Sequence, residues 1–78
     1  MDIVTLRLFI TLAGNLHFGK TSELMHMSPS AVSRAIQRLE NHLGHRLLLR
    51  DNRSAQLTAA GQTFLEYDHE SVKQWDRL

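Results

Sequence analysis

Five side chains able to bond a nucleic acid recur through one short stretch: Ser30, Ser33, Arg34, Gln37 and Arg38. Residues three and four apart are neighbours on a helical surface, so this spacing gathers them on one arc of a helix. Hydroxyl, amide and guanidinium groups are the groups that bond phosphate oxygens and base edges. The opposite arc holds Val32, Ile36, Leu39 and Leu43, with Ala35 beside them, an apolar stripe at helical period. Ser28 is a suitable N-cap, because its hydroxyl can accept a bond from a free N–H of the first turn. Pro29 follows where φ is fixed without loss of a needed donor. The stretch from Ser28 to Leu43 therefore reads as a helix rooted by one face and armed on the other, a recognition helix for DNA.

Such a helix needs elements to hold it. A first helix is expected from about Ile3 to Gly14, with Leu6, Phe9, Ile10 and Ala13 on one face and Gly14-Asn15 as its stop. A short second helix is expected from about Gly19 to Met25, anchored by Leu24 and Met25, with Phe18 packed at its start. His26-Met27-Ser28 is then a tight connection, and short helix, turn, capped helix is the helix-turn-helix pattern. Gly44 ends the third helix. Leu47-Leu48-Leu49-Arg50 and Ala55-Gln56-Leu57-Thr58 read as two short strands around a polar turn. With Arg53 at its tip and Arg50 and Asn52 near, that hairpin is either a wing reaching a minor groove, where a narrow groove attracts Arg, or a plain hairpin with solvated arginines. Thr58 caps a last helix from about Ala59 to Leu78, in which Gly61 costs some helix propensity. Leu65, Val72 and Trp75 share one face of it, and Phe64, Trp75 and Leu78 trace an overlapping one. This stripe either meets a second copy of the chain or folds back on the chain's own core.

Composition bounds the rest. The chain has 78 residues, is 42% hydrophobic and 22% charged, and carries one Pro and four Gly, which suits one small domain without a long linker. No apolar run approaches the ~20 residues that span a bilayer, and Met1-Asp2-Ile3 does not read as the start of a signal peptide. The absence of Cys excludes disulfides and thiolate chemistry and suits a cytoplasmic protein. The net charge of +1 is unevenly spread. Lys20, Arg34, Arg38, Arg46, Arg50 and Arg53 face only Glu23, Glu40 and Asp51 in the middle. The tail carries Glu66, Asp68, Glu70 and Asp76 against Lys73 and Arg77. The middle can face a polyanion, or the bias can be an ordinary solvated surface.

The ordered set of Leu6 and Phe9, Phe18, Ser28, Ser33-Arg34, Ile36, Leu39-Glu40, Leu43-Gly44, Leu47-Leu48, Arg50, Leu57-Thr58 and Ala60-Gly61 resembles the N-terminal DNA-binding region of LysR-type transcriptional regulators. The resemblance covers essentially the whole chain. It implies a mainly α fold, a winged helix-turn-helix over 1–58 with a small two-stranded wing, then a linker and dimerisation helix over 59–78. It further implies that this chain is part of a longer bacterial regulator whose effector-binding domain is absent here. Phe18-Gly19-Lys20, Ser28-Pro29-Ser30, Ile36-Gln37-Arg38-Leu39-Glu40 and Arg50-Asp51-Asn52-Arg53 look like one subgroup, an activator of branched-chain amino acid biosynthesis that controls acetohydroxy acid isomeroreductase. Two departures stand out: Pro29-Ser30 replaces a common Gln-Pro, and Leu48 lies where an aromatic is usual.

Carried onto matching positions, the resemblance implies the contacts. Helix 29–43 lies in the major groove with Ser30, Ser33 and Arg34 facing the bases, and Arg34 can pair bidentately with guanine. Pro29 and Ala31 can touch thymine methyls, while Gln37 and Arg38 meet the backbone. Lys20, Thr21 and Ser22 are backbone contacts at a helix start. Ser28 belongs to the same DNA-facing set. Arg53 enters the minor groove, and Arg50, Asn52 and Thr58 hold phosphates. Phe64, Leu65, Val72, Trp75 and Leu78 form the dimerisation surface, so that a homodimer reads an inverted repeat. A tetramer and a small-molecule effector belong to the full-length protein.

An enzyme would need an acid–base or nucleophilic constellation, and none is visible. His42 and His45 are a possible metal pair without a clear third ligand, so no metal and no cofactor are expected. His17 and His26 read as structural or surface residues. Two other readings remain: a protein-interaction module using the last helix, and an RNA-binding winged helix.

Overall fold

A computed structural model describes residues 2–50 and 55–78. Its elements run α1 (Ile3–Asn15), α2 (Phe18–Leu24), α3 (Pro29–Leu43), β1 (Leu48–Arg50), β2 (Ala55–Leu57) and α4 (Ala59–Asp76). This is the mainly helical winged helix-turn-helix that the sequence implies. Leu8, Phe9 and Leu12 of α1 are buried together with Val32, Ala35, Ile36 and Leu39 of α3, Leu47, Leu48 and Phe64. α1 is thus the central rod, packed against α2, α3 and α4. The buried face of α1 is set by Leu8 and Leu12 beside Phe9; Leu6, Ile10 and Ala13 are only half-buried.

Local chemistry explains the boundaries. Asp2 caps α1 by accepting from the Thr5 N–H at 2.9 Å. α1 runs through the expected stop at Gly14 and ends at Asn15, with the C-cap Leu16 in the left-handed region at φ 54°. Asn15 makes that ending useful: its Oδ1 accepts from the His17 N–H at 2.7 Å and from the Thr21 hydroxyl at 3.0 Å. α2 is capped by a residue without a capping signature, His17, whose Nδ1 accepts from the Lys20 N–H at 2.9 Å. The turn into α3 is closed by Ser22, whose carbonyl accepts from the Met27 N–H at 2.9 Å. Met25 and Met27 pack on the core, whereas Leu24, expected as an anchor, is exposed.

β1 and β2 pair antiparallel, with Leu48 opposite Leu57, Leu49 opposite Gln56 and Arg50 opposite Ala55. Glu40 ties this ladder to α3. Its Oε2 accepts from the N–H groups of Leu47 at 2.7 Å and Leu48 at 3.2 Å, and Arg46 Nε lies 3.7 Å away. Thr58 caps α4 as the sequence predicts, accepting from the Gly61 N–H at 2.9 Å.

α4 packs along α1 through Phe64, whose ring meets Phe9 edge-on at a centroid distance of 5.4 Å. Phe64 and Val72 are each 9% exposed and Leu65 packs on the core, so these three are turned inward in the single chain. Of the surface assigned to dimerisation, Trp75 and Leu78 stay exposed, and Tyr67 joins them. Asp68, one of the acids of the tail, is fully buried. Among the described residues no helix is long and apolar enough to cross a membrane.

Candidate nucleic-acid interface

α3 presents the arc that its sequence promised. Ser28 Oγ accepts from the Ala31 N–H at 3.1 Å and lies 3.2 Å from Ser30 Oγ, so the helix start is pinned by hydroxyls. Val32, Ala35, Ile36 and Leu39 are buried, while Pro29, Ser30, Arg34, Gln37 and Arg38 are exposed and Ala31 and Ser33 half-buried. At about 100° per residue, Ser30, Arg34 and Gln37 lie opposite the buried stripe. Asn41 continues that ridge one turn beyond Gln37 and is exposed too. Asn41 is absent from the contacts that the resemblance implies, although its spacing from Arg34 and Gln37 already places it on their face in the sequence.

The two flanks of the ridge differ. Ser33, Gln37 and Asn41 border a groove of about 680 Å³ that α3 shares with Phe18, Arg46, Leu48 and Arg50. Arg38 borders a different depression, beside Asp2, Thr5 and His42 at the start of α1. Arg38 therefore neighbours the Asp2 carboxylate, and Gln37 a groove where the guanidiniums of Arg46 and Arg50 outnumber the Glu40 carboxylate.

Arg50 is held rather than loose. Its guanidinium carbon stands 4.1 Å above the centroid of the Phe18 ring, and its Nη2 donates to Ser33 Oγ at 2.8 Å. A cation over an aromatic face is attracted by the ring quadrupole. The resemblance implies a phosphate contact for Arg50; in the structure its side chain reaches from β1 to α2 and α3.

Three other sequence-assigned contacts find their side chains engaged. Thr21 is fully buried with its hydroxyl donating to Asn15, and Ser22 is buried with its hydroxyl donating to the Gly19 carbonyl at 2.6 Å. Both turn inward, because α2 has only seven residues and must bury a face through small polar groups. Of that group, Lys20 is exposed. The Thr58 hydroxyl donates to the Arg46 carbonyl at 2.5 Å while accepting from Gly61, so its hydrogen is committed within the fold. Asn52 and Arg53 lie outside the described residues. His42 and His45 gain no third ligand: among the described residues no group of three or more His, Asp or Glu side chains is placed to hold a metal.

The comparisons with known proteins agree with one another. Residues 3–62 match the family described as bacterial regulatory helix-turn-helix protein, lysR family. The HTH-type transcriptional activator IlvY of Salmonella typhimurium is 44% identical over 78 residues, covering 100% of this chain and 26% of the relative. IlvY of Haemophilus influenzae is 43% identical, covering 100% and 27%. The chain thus spans about a quarter of the length of these relatives. Among solved structures, the CbnR_DBD-DNA complex superposes with a TM-score of 0.94 at 34% identity, over 99% of this chain and 88% of the other. The BenM_DBD/catB site 1 DNA complex superposes at 0.92 with 30% identity, over 99% and 86%. With its capped and two-faced α3, its two-stranded ladder and these matches across nearly its whole length, the chain belongs to the LysR family of bacterial regulatory helix-turn-helix proteins.

Proposed function

We propose that this chain reads double-stranded DNA for a transcriptional regulator, with α3 in the major groove and the β1–β2 hairpin beside it toward the minor groove. The observation that carries this reading is the exposed ridge of Ser30, Arg34 and Gln37 directly opposite the buried stripe of α3. These are groups that recognise base edges, on an element held rigidly by its cap and by Glu40. The similar CbnR and BenM domains, described as DNA complexes, support it. Lys20, Ser28, Pro29, Ala31, Ser33 and Arg38 belong to the same face in this reading, together with Asn41. Asn52 and Arg53 retain their proposed roles from the sequence. Thr21, Ser22 and Thr58 contribute through the fold rather than by their hydroxyls. The role is binding, not catalysis.

Residues 1–58 form the reading unit and 59–78 the dimerisation helix. Exposed Tyr67, Trp75 and Leu78 support a homodimer, which would read an inverted repeat. The narrower likeness to an activator of branched-chain amino acid biosynthesis has its support in the identity to the IlvY activators. An effector-binding domain, a tetramer and a cytoplasmic site of action belong to the longer regulator that the relatives' length suggests. Selection of bound sequences from a random duplex pool tests the reading. It should enrich an inverted repeat with two like half-sites. Enrichment of no sequence would favour a protein-interaction module, and preference for duplex RNA in competition would favour the RNA reading.

A further inference from the structure

We propose that Arg50 is a positioning residue for DNA reading, a clamp that locks the hairpin base to α3 through Phe18 and Ser33. This rests on the DNA-reading function proposed above. Arg50 is the last residue of β1, paired across the ladder with Ala55. Phe18 opens α2, and Ser33 lies on the flank of α3 between the buried stripe and the ridge. One guanidinium therefore touches two elements of the helix-turn-helix from a third, by stacking at 4.1 Å and by a hydrogen bond at 2.8 Å.

The chemistry suits Arg and not Lys. A planar guanidinium can lie flat on a ring while its edge N–H groups still donate in the plane, whereas an ammonium is a point charge. Two consequences follow. The ladder cannot swing relative to α3 without lifting Arg50 off the ring, so the spacing between helix and hairpin is set before DNA arrives. Ser33 also becomes directional. A hydroxyl has one donor hydrogen and two lone pairs; with Arg50 donating into one lone pair, the hydrogen is turned toward an acceptor elsewhere, as a base edge or phosphate oxygen would supply. Glu40 provides the second tie, on the inner side of the ladder, through the Leu47 and Leu48 N–H groups. Phe18 reads in sequence as a packing residue, and its exposed partner Arg50 as a phosphate ligand; only their juxtaposition joins the two.

The test combines a structural readout with binding. In the free protein the Arg50 side-chain NMR signals should be shifted upfield by the Phe18 ring, and Phe18→Leu should remove that shift. On a duplex selected by the wild-type protein, Phe18→Leu should weaken binding about threefold, the size of an exposed cation–π contact, with an unchanged salt slope. Phe18→Tyr, which keeps the ring, should restore affinity. In an Arg50→Gln background, Phe18→Leu should have no further effect on binding. Thermal melts confirm that each variant is folded. Wild-type affinity in Phe18→Leu, or an effect that adds fully to that of Arg50→Gln, would overturn the clamp's role. If the wild-type protein selected no duplex, the DNA reading would fall and this role with it. An intact ring shift would then mark the contact as purely structural.

Discussion

Asp68 is a carboxyl group in a place where the packing gives it nothing to bond. It is fully buried, between Phe64 and Val72 along α4, and neither of its oxygens has a hydrogen-bond partner among the described residues. Burial disfavours the charged form and pushes its pKa up to about 7. The sign of the linkage follows. A folded-state pKa above the unfolded value near 3.8 means that the native state keeps a proton the unfolded chain has lost. This group's contribution is then fully present below about pH 4 and is lost as pH rises toward 7. The Asp68→Asn variant should lose that dependence. Its unfolding free energy should fall less steeply between pH 4 and 7, by roughly 1.4 kcal/mol per pH unit, as denaturant titrations at several pH values would show. A slope equal to that of the wild type would place a hydrogen-bond donor or a cation beside Asp68. Nothing in the sequence marked this residue, because an acid four residues from Phe64 and four from Val72 is indistinguishable from a solvated one until α1 is laid over it. The same holds for Arg50, whose partners are 32 and 17 positions away in the chain.

At the scale of elements, Gly61 shows how tightly α4 meets the rest. A Cβ there would stand 2.1 Å from the Leu47 carbonyl oxygen, a backbone atom that cannot rotate away. Gly61 is therefore required for the approach of α4 to the residue preceding β1, beyond its modest cost in helix propensity. Gly61→Ala should destabilise the fold by about 2 kcal/mol or more, as overpacking does, and lower the melting temperature measured by circular dichroism. An unchanged melt would mean that α4 can tilt. The elements themselves were mostly legible. α3 has one apolar stripe and a Ser-Pro start, and Thr58 caps α4, so period and cap chemistry agreed. The buried face of α1 was not legible. Ile3, Val4, Leu6, Leu8, Phe9, Ile10, Leu12 and Ala13 surround that helix with apolar groups, and periodicity then selects no face. α2 is too short to show a period at all, and its buried residues are Thr21 and Ser22.

At the scale of the whole molecule, the open question is what α4 meets beyond α1. At about 100° per residue, Trp75 falls between Phe64 and Asp68 on the helical wheel. It continues the buried line but is 55% exposed, because α1 does not cover it. Arg7 closes the flank by donating to Asp76 at 2.6 Å. A second copy covering Trp75 would complete the stripe, and interface Trp residues often carry much of the binding free energy. Trp75→Ala should shift sedimentation equilibrium toward monomer by at least about tenfold in Kd while leaving the circular dichroism spectrum intact. An unchanged mass distribution would show that Trp75 lies in no interface between copies.

The proposed DNA-reading role of the α3 ridge is tested most directly by equilibrium binding of Arg34→Ala to the selected inverted repeat and to a scrambled duplex of the same length. A bidentate Arg–guanine pair is worth on the order of 1–3 kcal/mol of discrimination. The variant should therefore lose roughly 5- to 150-fold on the selected site and far less on the scrambled one. If the ratio of the two affinities stays at its wild-type value, Arg34 reads no base, and the ridge opposite the buried stripe of α3 is not the recognition surface.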